Sequence, residues 1–115
     1  MSVFRANTIA LYLPLYFLGA LVIANDVSAQ TLTAGVVMEK MEAGDRYTYV
    51  AGIVEGLAHA RFVKDNKDTQ GRACIYTWFY DDKATLPKIY AAFEKYPGTL
   101  PGAVVGALAA TKCGV

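Results

Sequence analysis

The stretch DRYTYVAGIVEGLAHARFV, residues 45–63, predicts the clearest helix of this 115-residue chain. Apolar and small residues recur in it every three or four positions, which is the spacing that places side chains on one face of a helix. Asp45 is expected to cap the first turn, because its side-chain oxygen can accept hydrogen bonds from free backbone N–H groups. The expected buried face consists of Tyr49, Ile53, Gly56, Leu57 and Ala60, with Gly52 beside them. The side chains expected to point outward are Arg46, Glu55 and Arg61.

Three further helices are predicted around this stretch. They cover residues 33–41, 85–96 and 99–113, and in each of them apolar residues recur at helical spacing. The first is expected to end at Gly44. In each of the last two, a threonine is the expected cap and a proline lies in the first turn, where its missing N–H costs nothing. These residues are Thr85 with Pro87, and Thr99 with Pro101.

Two segments between the predicted helices differ in composition. Residues 64–72, KDNKDTQGR, alternate in charge and predict a solvated loop, which is either a plain connector or a loop that binds a partner. Residues 74–80, CIYTWFY, predict either a short helix or an extended segment, and Asp81 and Asp82 end it. The sequence therefore predicts an all-α fold, a small antiparallel domain of about four helices with short connections.

Glycines occur inside two of the predicted helices, at Gly52 and Gly56 in the second and at Gly102 and Gly106 in the fourth. Glycine inside a helix costs up to about 1 kcal/mol relative to alanine, so four of them suggest a compensating gain. Close approach is the simplest gain, and we expect the two helices to cross at these glycines. The competing interpretation is a membrane dimer of the GxxxG type, which charged side chains such as Glu55 disfavour.

The first thirty residues are typical of an exported protein. Arg5 precedes an apolar run over residues 8–24, and the short residues Val27 and Ala29 follow it. This order predicts a signal peptide, residues 1–29, that is cleaved after Ala29. A retained anchor is the alternative, because the run nearly reaches the roughly 20 residues of a spanning helix. The proline inside the run argues against it, so we expect a periplasmic protein without a stable membrane span after cleavage.

The mature domain, residues 30–115, contains two cysteines, Cys74 and Cys113. In an exported protein, two cysteines without a spare thiol predict one disulfide, which would support a small core. The sequence has no CxxC motif for redox chemistry, and two cysteines with a single histidine make a poor zinc site. The net charge is +1 and no basic stripe occurs. Binding to nucleic acid is therefore disfavoured.

No residue pattern predicts catalysis. His59 is the only histidine, and a lone histidine without a partner fixed by a motif is usually structural or on the surface. Serine occurs only at Ser2 and Ser28, inside the predicted signal peptide, so the mature chain has no serine nucleophile. The adjacent Asp81 and Asp82 predict a solvated turn before a helix. We therefore expect a protein that is not an enzyme and that has no catalytic residues, no metal site and no cofactor.

Aromatic residues are concentrated in the second half of the chain. Tyr76, Trp78, Phe79 and Tyr80 lie within five positions, and no helix or strand can hide all four on one side. Most of them are expected in the core. Exposed tyrosine or tryptophan beside charged residues makes a good binding anchor. The candidate partner-binding residues are therefore Trp78, Tyr80, Asp81 and Asp82.

The order of several of these residues makes the chain resemble a known family. They are residues 49–57 (YVAGIVEGL), a polar gap, Cys74, Thr85-Leu86 opening a helix with Tyr90, then Pro97, Leu100, Pro101, and a small-residue helix ending in Cys113. Over about residues 45–114 the pattern is similar to the Rap/Tai family of small exported helical proteins. The resemblance implies a compact helical domain like that of the acid-stress chaperone HdeA, with the family disulfide between Cys74 and Cys113.

Two functions follow as expectations. The characterised members of the Rap/Tai family are periplasmic immunity proteins that block type VI secretion amidase toxins, which implies a non-catalytic binding protein whose partner is a protein such as a cell-wall amidase. The alternative is an HdeA-like acid chaperone, which would loosen at low pH as carboxylates become protonated and repulsion among lysines and arginines grows. HdeA-like proteins can dimerise, and the apolar face of the fourth predicted helix would allow a homodimer.

Overall fold

A computed structural model describes residues 31–115, and every regular element in that range is helical. The all-α prediction is confirmed, while the predicted signal peptide lies outside the described residues. α2 packs against α3 and α5, and α4 packs against α1 and α5, so the helices enclose one core. The elements are α1 (Ala34–Lys40), α2 (Ala43–Lys64), α3 (Gln70–Tyr76), a π-helical turn (Thr77–Asp81), α4 (Thr85–Lys95) and α5 (Pro101–Cys113).

Residues 70–81 are helical, although the sequence alone does not decide between a short helix and an extended segment over residues 74–80. The described residues therefore form five α-helices, where about four are predicted. The connector before it is shorter than predicted, because only residues 65–69 lie outside helices. Ile75, Trp78 and Phe79 are buried on the core side of this segment. Packing against the rest of the domain therefore stabilises a helix whose local pattern was ambiguous.

An arginine side chain stabilises the junction between α1 and α2. Two predictions about the residues of this junction are wrong. Gly44 does not end α1, and Asp45 is not a cap, because both lie in the first turn of α2. The Arg46 guanidinium donates to the carbonyl oxygens of Met38 (2.8 Å) and Met41 (3.0 Å). Met38 lies in the last turn of α1 and Met41 directly follows it, where the carbonyl groups lack partners inside the helix. A tertiary contact thus replaces the local end signals that the sequence suggested.

The buried face of α2 lies one position along from the predicted face. Val50, Val54 and Ala58 are fully buried. Side chains at positions i and i+4 share a face of a helix, and here the series beginning at Val50 faces the core. The predicted series is partly buried or exposed, and it consists of Tyr49, Ile53, Gly56, Leu57 and Ala60.

The glycines of α2 and α5 do not form a close crossing, so that prediction is wrong. Among residues 31–115, a methyl group added at Gly52, Gly56 or Gly102 would meet nothing within 4 Å, and at Gly106 the nearest atom would be Leu57 Cδ2 at 3.7 Å. Gly52 and Gly56 are exposed, and each keeps its cost of up to about 1 kcal/mol relative to alanine.

None of the described helices is both long enough and apolar enough to cross a membrane.

Gly71, in contrast, has a steric requirement. It is buried in α3, and a methyl group there would lie 2.5 Å from Arg61 Nε and 2.5 Å from Asp65 Oδ2. Gly71→Ala is expected to lower the free energy of unfolding by about 1–3 kcal/mol, because it would displace the 2.8 Å ion pair between Arg61 and Asp65. Urea unfolding measures this change.

The matched control for Gly71→Ala is Gly52→Ala, which adds the same methyl group to open space on α2. This control is expected to raise the free energy of unfolding by about 0.5–1 kcal/mol, because alanine loses less conformational entropy in a helix. If both substitutions changed stability in the same direction, the steric role of Gly71 would be refuted.

A disulfide joins α3 to the end of α5, as the sequence predicts. The sulfur atoms of Cys74 and Cys113 lie 2.11 Å apart, and their Cα atoms lie 5.8 Å apart. Arg61 contacts the same corner of the domain, because its Nη1 donates to the carbonyl oxygens of Cys113 (3.2 Å) and Gly114 (2.9 Å). These carbonyls at the end of α5 thereby gain partners, and α2, α3 and α5 converge there.

The predicted cap Thr85 has a different role. It is the first residue of α4, it is only 2% exposed, and its hydroxyl donates to the carbonyl oxygen of Trp78. Asp82 organises the turn instead, since its Oδ1 accepts from the Ala84 N–H (2.9 Å) and its carbonyl oxygen accepts from the Thr85 N–H (3.1 Å). The end of the π-helical turn is therefore fixed to the start of α4.

The other predicted cap, Thr99, joins the turn between α4 and α5 to the start of α1. It lies outside α5, which begins at Pro101. The carbonyl oxygen of Thr99 accepts from the Ala34 N–H (2.9 Å), and that of Pro97 accepts from the Gly35 N–H (2.9 Å). Backbone groups at the start of α1 are thus satisfied by the turn that precedes α5.

Candidate functional site

The four predicted partner-binding residues lie on two different surfaces. Trp78, Asp81 and Asp82 line one cleft, whereas the Tyr80 hydroxyl is hydrogen-bonded to Glu55 on α2. Trp78 and Tyr80 are two positions apart in a helical segment, and side chains at that spacing do not face each other. The helical conformation of this segment is therefore the reason for the separation.

The first surface is an open cleft next to the disulfide, which we name the disulfide cleft. Its volume is about 670 Å³. Trp78 forms its floor, since only 8% of this residue is exposed, and exposed charged residues lie around it. The lining residues are Gln70, Ala73, Cys74, Thr77, Trp78, Asp81, Asp82 and Lys112.

The charged residues of the disulfide cleft are available to a partner. Among the described residues, neither Asp81 nor Asp82 is within ion-pair distance of a cation. Asp82 is engaged in the turn before α4, whereas Asp81 accepts no hydrogen bond from the described part of the chain. An indole beside carboxylates suits an amphipathic or basic side chain, which can contact the ring and neutralise the charge.

The second surface, which we name the tyrosine surface, consists of Glu55, Tyr47, Tyr76 and Tyr80. The Tyr76 hydroxyl donates to Glu55 Oε2 (2.9 Å), and the Tyr80 hydroxyl donates to Glu55 Oε1 (2.8 Å). The buried ring of Phe79 supports the exposed rings: it stacks with Tyr47 at 6.0 Å and meets Tyr80 edge-on at 4.9 Å, between ring centroids. One carboxylate is therefore held by two phenols on an aromatic base.

These hydrogen bonds change the pKa values of the tyrosine surface. The bond from Tyr80, and next the bond from Tyr76, lowers the pKa of Glu55, because both donors favour the charged carboxylate. The bond to Glu55 raises the pKa of Tyr80 to about 12 and also raises the pKa of Tyr76, because only a protonated phenol can donate. At neutral pH Glu55 is therefore charged, whereas Tyr76 and Tyr80, which donate to it, are neutral.

Most of the tyrosine surface is not predicted by the sequence. The residue pattern predicts that Glu55 points outward, but it indicates no partner for Glu55 and no site that includes Tyr47 or Tyr76. A helix over residues 70–81 places Tyr76 and Tyr80 at positions i and i+4, which is the spacing that puts them on one face. That signal was present, but it depended on choosing the helix over the extended alternative.

His59 belongs to neither surface, although it lies one helical turn after Glu55 on α2. It is exposed on α2 and contributes to a shallow pocket with Phe62, Val63, Asn66 and Lys67. Within residues 31–115, no group of three or more histidine, cysteine, aspartate or glutamate residues could hold a metal ion.

Comparisons of the chain with protein-family models, curated proteins and solved structures gave no significant match. The resemblance to the Rap/Tai family stays a prediction, so a function has to be inferred from the disulfide cleft and the tyrosine surface.

Proposed function

We propose that this chain is an exported, non-catalytic binding protein that holds part of a partner protein in the disulfide cleft. The observation that carries the proposal is the open cleft of about 670 Å³ beside the disulfide, in which the exposed side chains of Asp81, Asp82 and Lys112 surround the small exposed part of Trp78. The disulfide restrains one wall of the cleft, so few residues lose conformational freedom when a partner binds.

The partner that we propose is a type VI secretion amidase, which is the class that the Rap/Tai resemblance implies. An inhibitor of such an enzyme needs no catalytic residues, since covering the entrance to the enzyme's active site is sufficient. The acidic residues Asp81 and Asp82 favour a basic or donor-rich surface on the enzyme, because complementary charge increases both association rate and specificity.

Titration calorimetry of the oxidised protein with purified type VI secretion amidases tests this proposal, together with inhibition of peptidoglycan cleavage. Asp81→Lys is expected to weaken binding by at least about tenfold, because it places a cation where the partner meets a carboxylate. Glu94→Lys makes the same change of charge at an exposed position of α4 and is expected to bind like the unmodified protein. Equal binding of both variants would exclude the disulfide cleft, and no binding to any amidase would exclude this class of partner.

The second candidate function, an acid-stress chaperone, is favoured by the lowered pKa of Glu55. This carboxylate connects α2 to α3 and to the π-helical turn through Tyr76 and Tyr80. Protonation weakens these two bonds, because the neutral carboxyl is a poorer acceptor. Acidification therefore loosens one contact between helices, which is the first step that an acid-activated chaperone needs.

The domain is expected to lose stability as the pH falls through the folded-state pKa of Glu55. This pKa is lower in the folded than in the unfolded state. At a pH between the two pKa values, the unfolded chain therefore binds more protons than the folded domain. The contribution of Glu55 is complete above its unfolded-state pKa and is lost below its folded-state pKa. Thermal unfolding measured from about pH 7 down to about pH 2 follows this loss.

Glu55→Gln is expected to flatten the acid side of that stability curve, and the curves of the two proteins are expected to converge at the lowest pH. The matched control is Glu39→Gln, which removes an exposed carboxylate of α1 without a tyrosine partner among the described residues. An unchanged acid side in Glu55→Gln would contradict the prediction. The chaperone function further requires that the acidified protein prevents aggregation of an unfolded client.

A further inference from the structure

The tyrosine surface contains a carboxylate without a cationic partner. No lysine, arginine or histidine of the described residues lies within ion-pair distance of Glu55. The hydrogen bonds that its oxygens accept from described residues come from Tyr76 at Oε2 and from Tyr80 at Oε1. Since a carboxylate offers about four lone-pair sites, each oxygen can accept one more N–H donor.

The aromatic side chains around this carboxylate are fixed before any partner binds. Tyr76 and Tyr80 are held by their hydroxyl groups, and Phe79 packs against both Tyr80 and Tyr47. Tyr47 and Tyr80 are nevertheless 44% and 45% exposed. Rings that are both exposed and fixed lose little conformational entropy on binding, which favours their use in an interface.

Two positions of α2 beside Glu55 carry no side chain, and the next exposed bulky residue on that side is His59, one helical turn after Glu55. Gly52 and Gly56 lie three positions before and one position after Glu55, they are exposed, and a methyl group at either would meet nothing within 4 Å. Glycine destabilises a helix interior, and no contact inside the domain offsets this. The missing side chains let a partner approach the backbone of α2 directly beside the carboxylate.

We propose that the tyrosine surface is a second protein-binding interface, at which Glu55 receives an arginine side chain of the partner. A guanidinium is planar, donates two parallel N–H bonds to the two oxygens of one carboxylate, and stacks on aromatic rings. Lysine presents a single compact charge and cannot match both oxygens in this way. The tyrosine surface shares no residue with the disulfide cleft, so this proposal and the proposed function can fail separately.

Nuclear magnetic resonance titration of the isotope-labelled protein with N-acetyl-arginine amide tests the assignment. At millimolar concentrations this probe is expected to shift the backbone N–H signals of Gly52, Gly56 and Tyr80. N-acetyl-citrulline amide has nearly the same shape without the charge, and it is expected to bind about tenfold more weakly. N-acetyl-lysine amide is expected to bind more weakly than the arginine probe at the same signals.

Two variants separate recognition of the probe from folding. Glu55→Gln is expected to weaken binding of the arginine probe about tenfold, whereas Glu94→Gln, the matched exposed control, is expected to leave it unchanged. Gly52→Leu covers the approach to Glu55 and is also expected to weaken binding, while its higher helix propensity keeps the thermal midpoint at or above that of the unmodified protein.

Three results would overturn the proposal. The first is no shift at these signals, or shifts that persist in Glu55→Gln. The second is a set of shifts centred on Asp81 in the disulfide cleft. The third is an equal response to the lysine probe, which would refute arginine as the occupant. The same spectra show whether each variant is folded, so a weak response cannot be confused with unfolding.

Discussion

Replacement of both Cys74 and Cys113 by serine is expected to lower the free energy of unfolding by about 4 kcal/mol. The disulfide spans a sequence separation of 39, and in the chain-entropy model a cross-link over a loop of that size removes this much conformational freedom from the unfolded state. A domain of this size has a small core and little stability to spare. Urea unfolding followed by circular dichroism measures the loss.

Reduction supplies the control for this prediction. The unmodified protein in reductant is expected to unfold at the same urea concentration as the double-serine variant, and reductant is expected to leave that variant unchanged. The variant is also expected to bind its partner less well, because Cys74 lines the disulfide cleft. A midpoint equal to that of the oxidised protein would mean that the helices hold this corner without the bond.

Trp78→Ala is expected to cost about 3–5 kcal/mol of unfolding free energy, the range for truncating a buried aromatic residue. Its side chain is shared by two cavities, the disulfide cleft and a smaller one of about 210 Å³ that Thr85 and Leu108 also line. Removal of the indole would join these spaces and expose the core beneath them. Urea or thermal unfolding measures the change.

Two control substitutions test whether the loss of unfolding free energy in Trp78→Ala comes from removing a buried ring. Trp78→Phe keeps a ring in the site and is expected to cost less than the alanine substitution. Tyr96→Ala removes an aromatic side chain that is 51% exposed, and it is expected to change stability by less than about 0.5 kcal/mol. If Trp78→Ala cost no more than Tyr96→Ala, the indole would not be part of the core.

The helices could be predicted from the sequence where apolar residues recur over several turns. α2 was predicted over residues 45–63 and occupies Ala43–Lys64, because a long periodic pattern depends little on the rest of the fold. The ends of the helices were harder to predict, since Arg46 closes the end of α1 through bonds that no local pattern reveals. The predicted buried face of α2 differs by one position from the observed one for a similar reason. The series that includes Tyr49 and the series that includes Val50 are both apolar, and packing against the other helices decides which one is buried.

The candidate site was only partly predictable. Trp78, Asp81 and Asp82 do lie together, because they are close in sequence and the segment is helical. Tyr80 points elsewhere, and its partner Glu55 is 25 positions away in the sequence. A contact of that kind depends on how α2 and α3 pack, which composition and spacing do not determine.

The bonds from Ala34 to Thr99 and from Gly35 to Pro97 also determine the order in which the domain can assemble. In a chain that emerges N-terminus first, the residues of α1 appear early, but the carbonyl groups of Pro97 and Thr99 that accept hydrogen bonds from α1 emerge only when most of the domain has appeared. Contacts between such distant residues form late and slow the folding of a small domain. Until then Val37, which is fully buried in the finished domain, stays in contact with water, and α1, with its seven residues, is too short to be stable as a helix on its own.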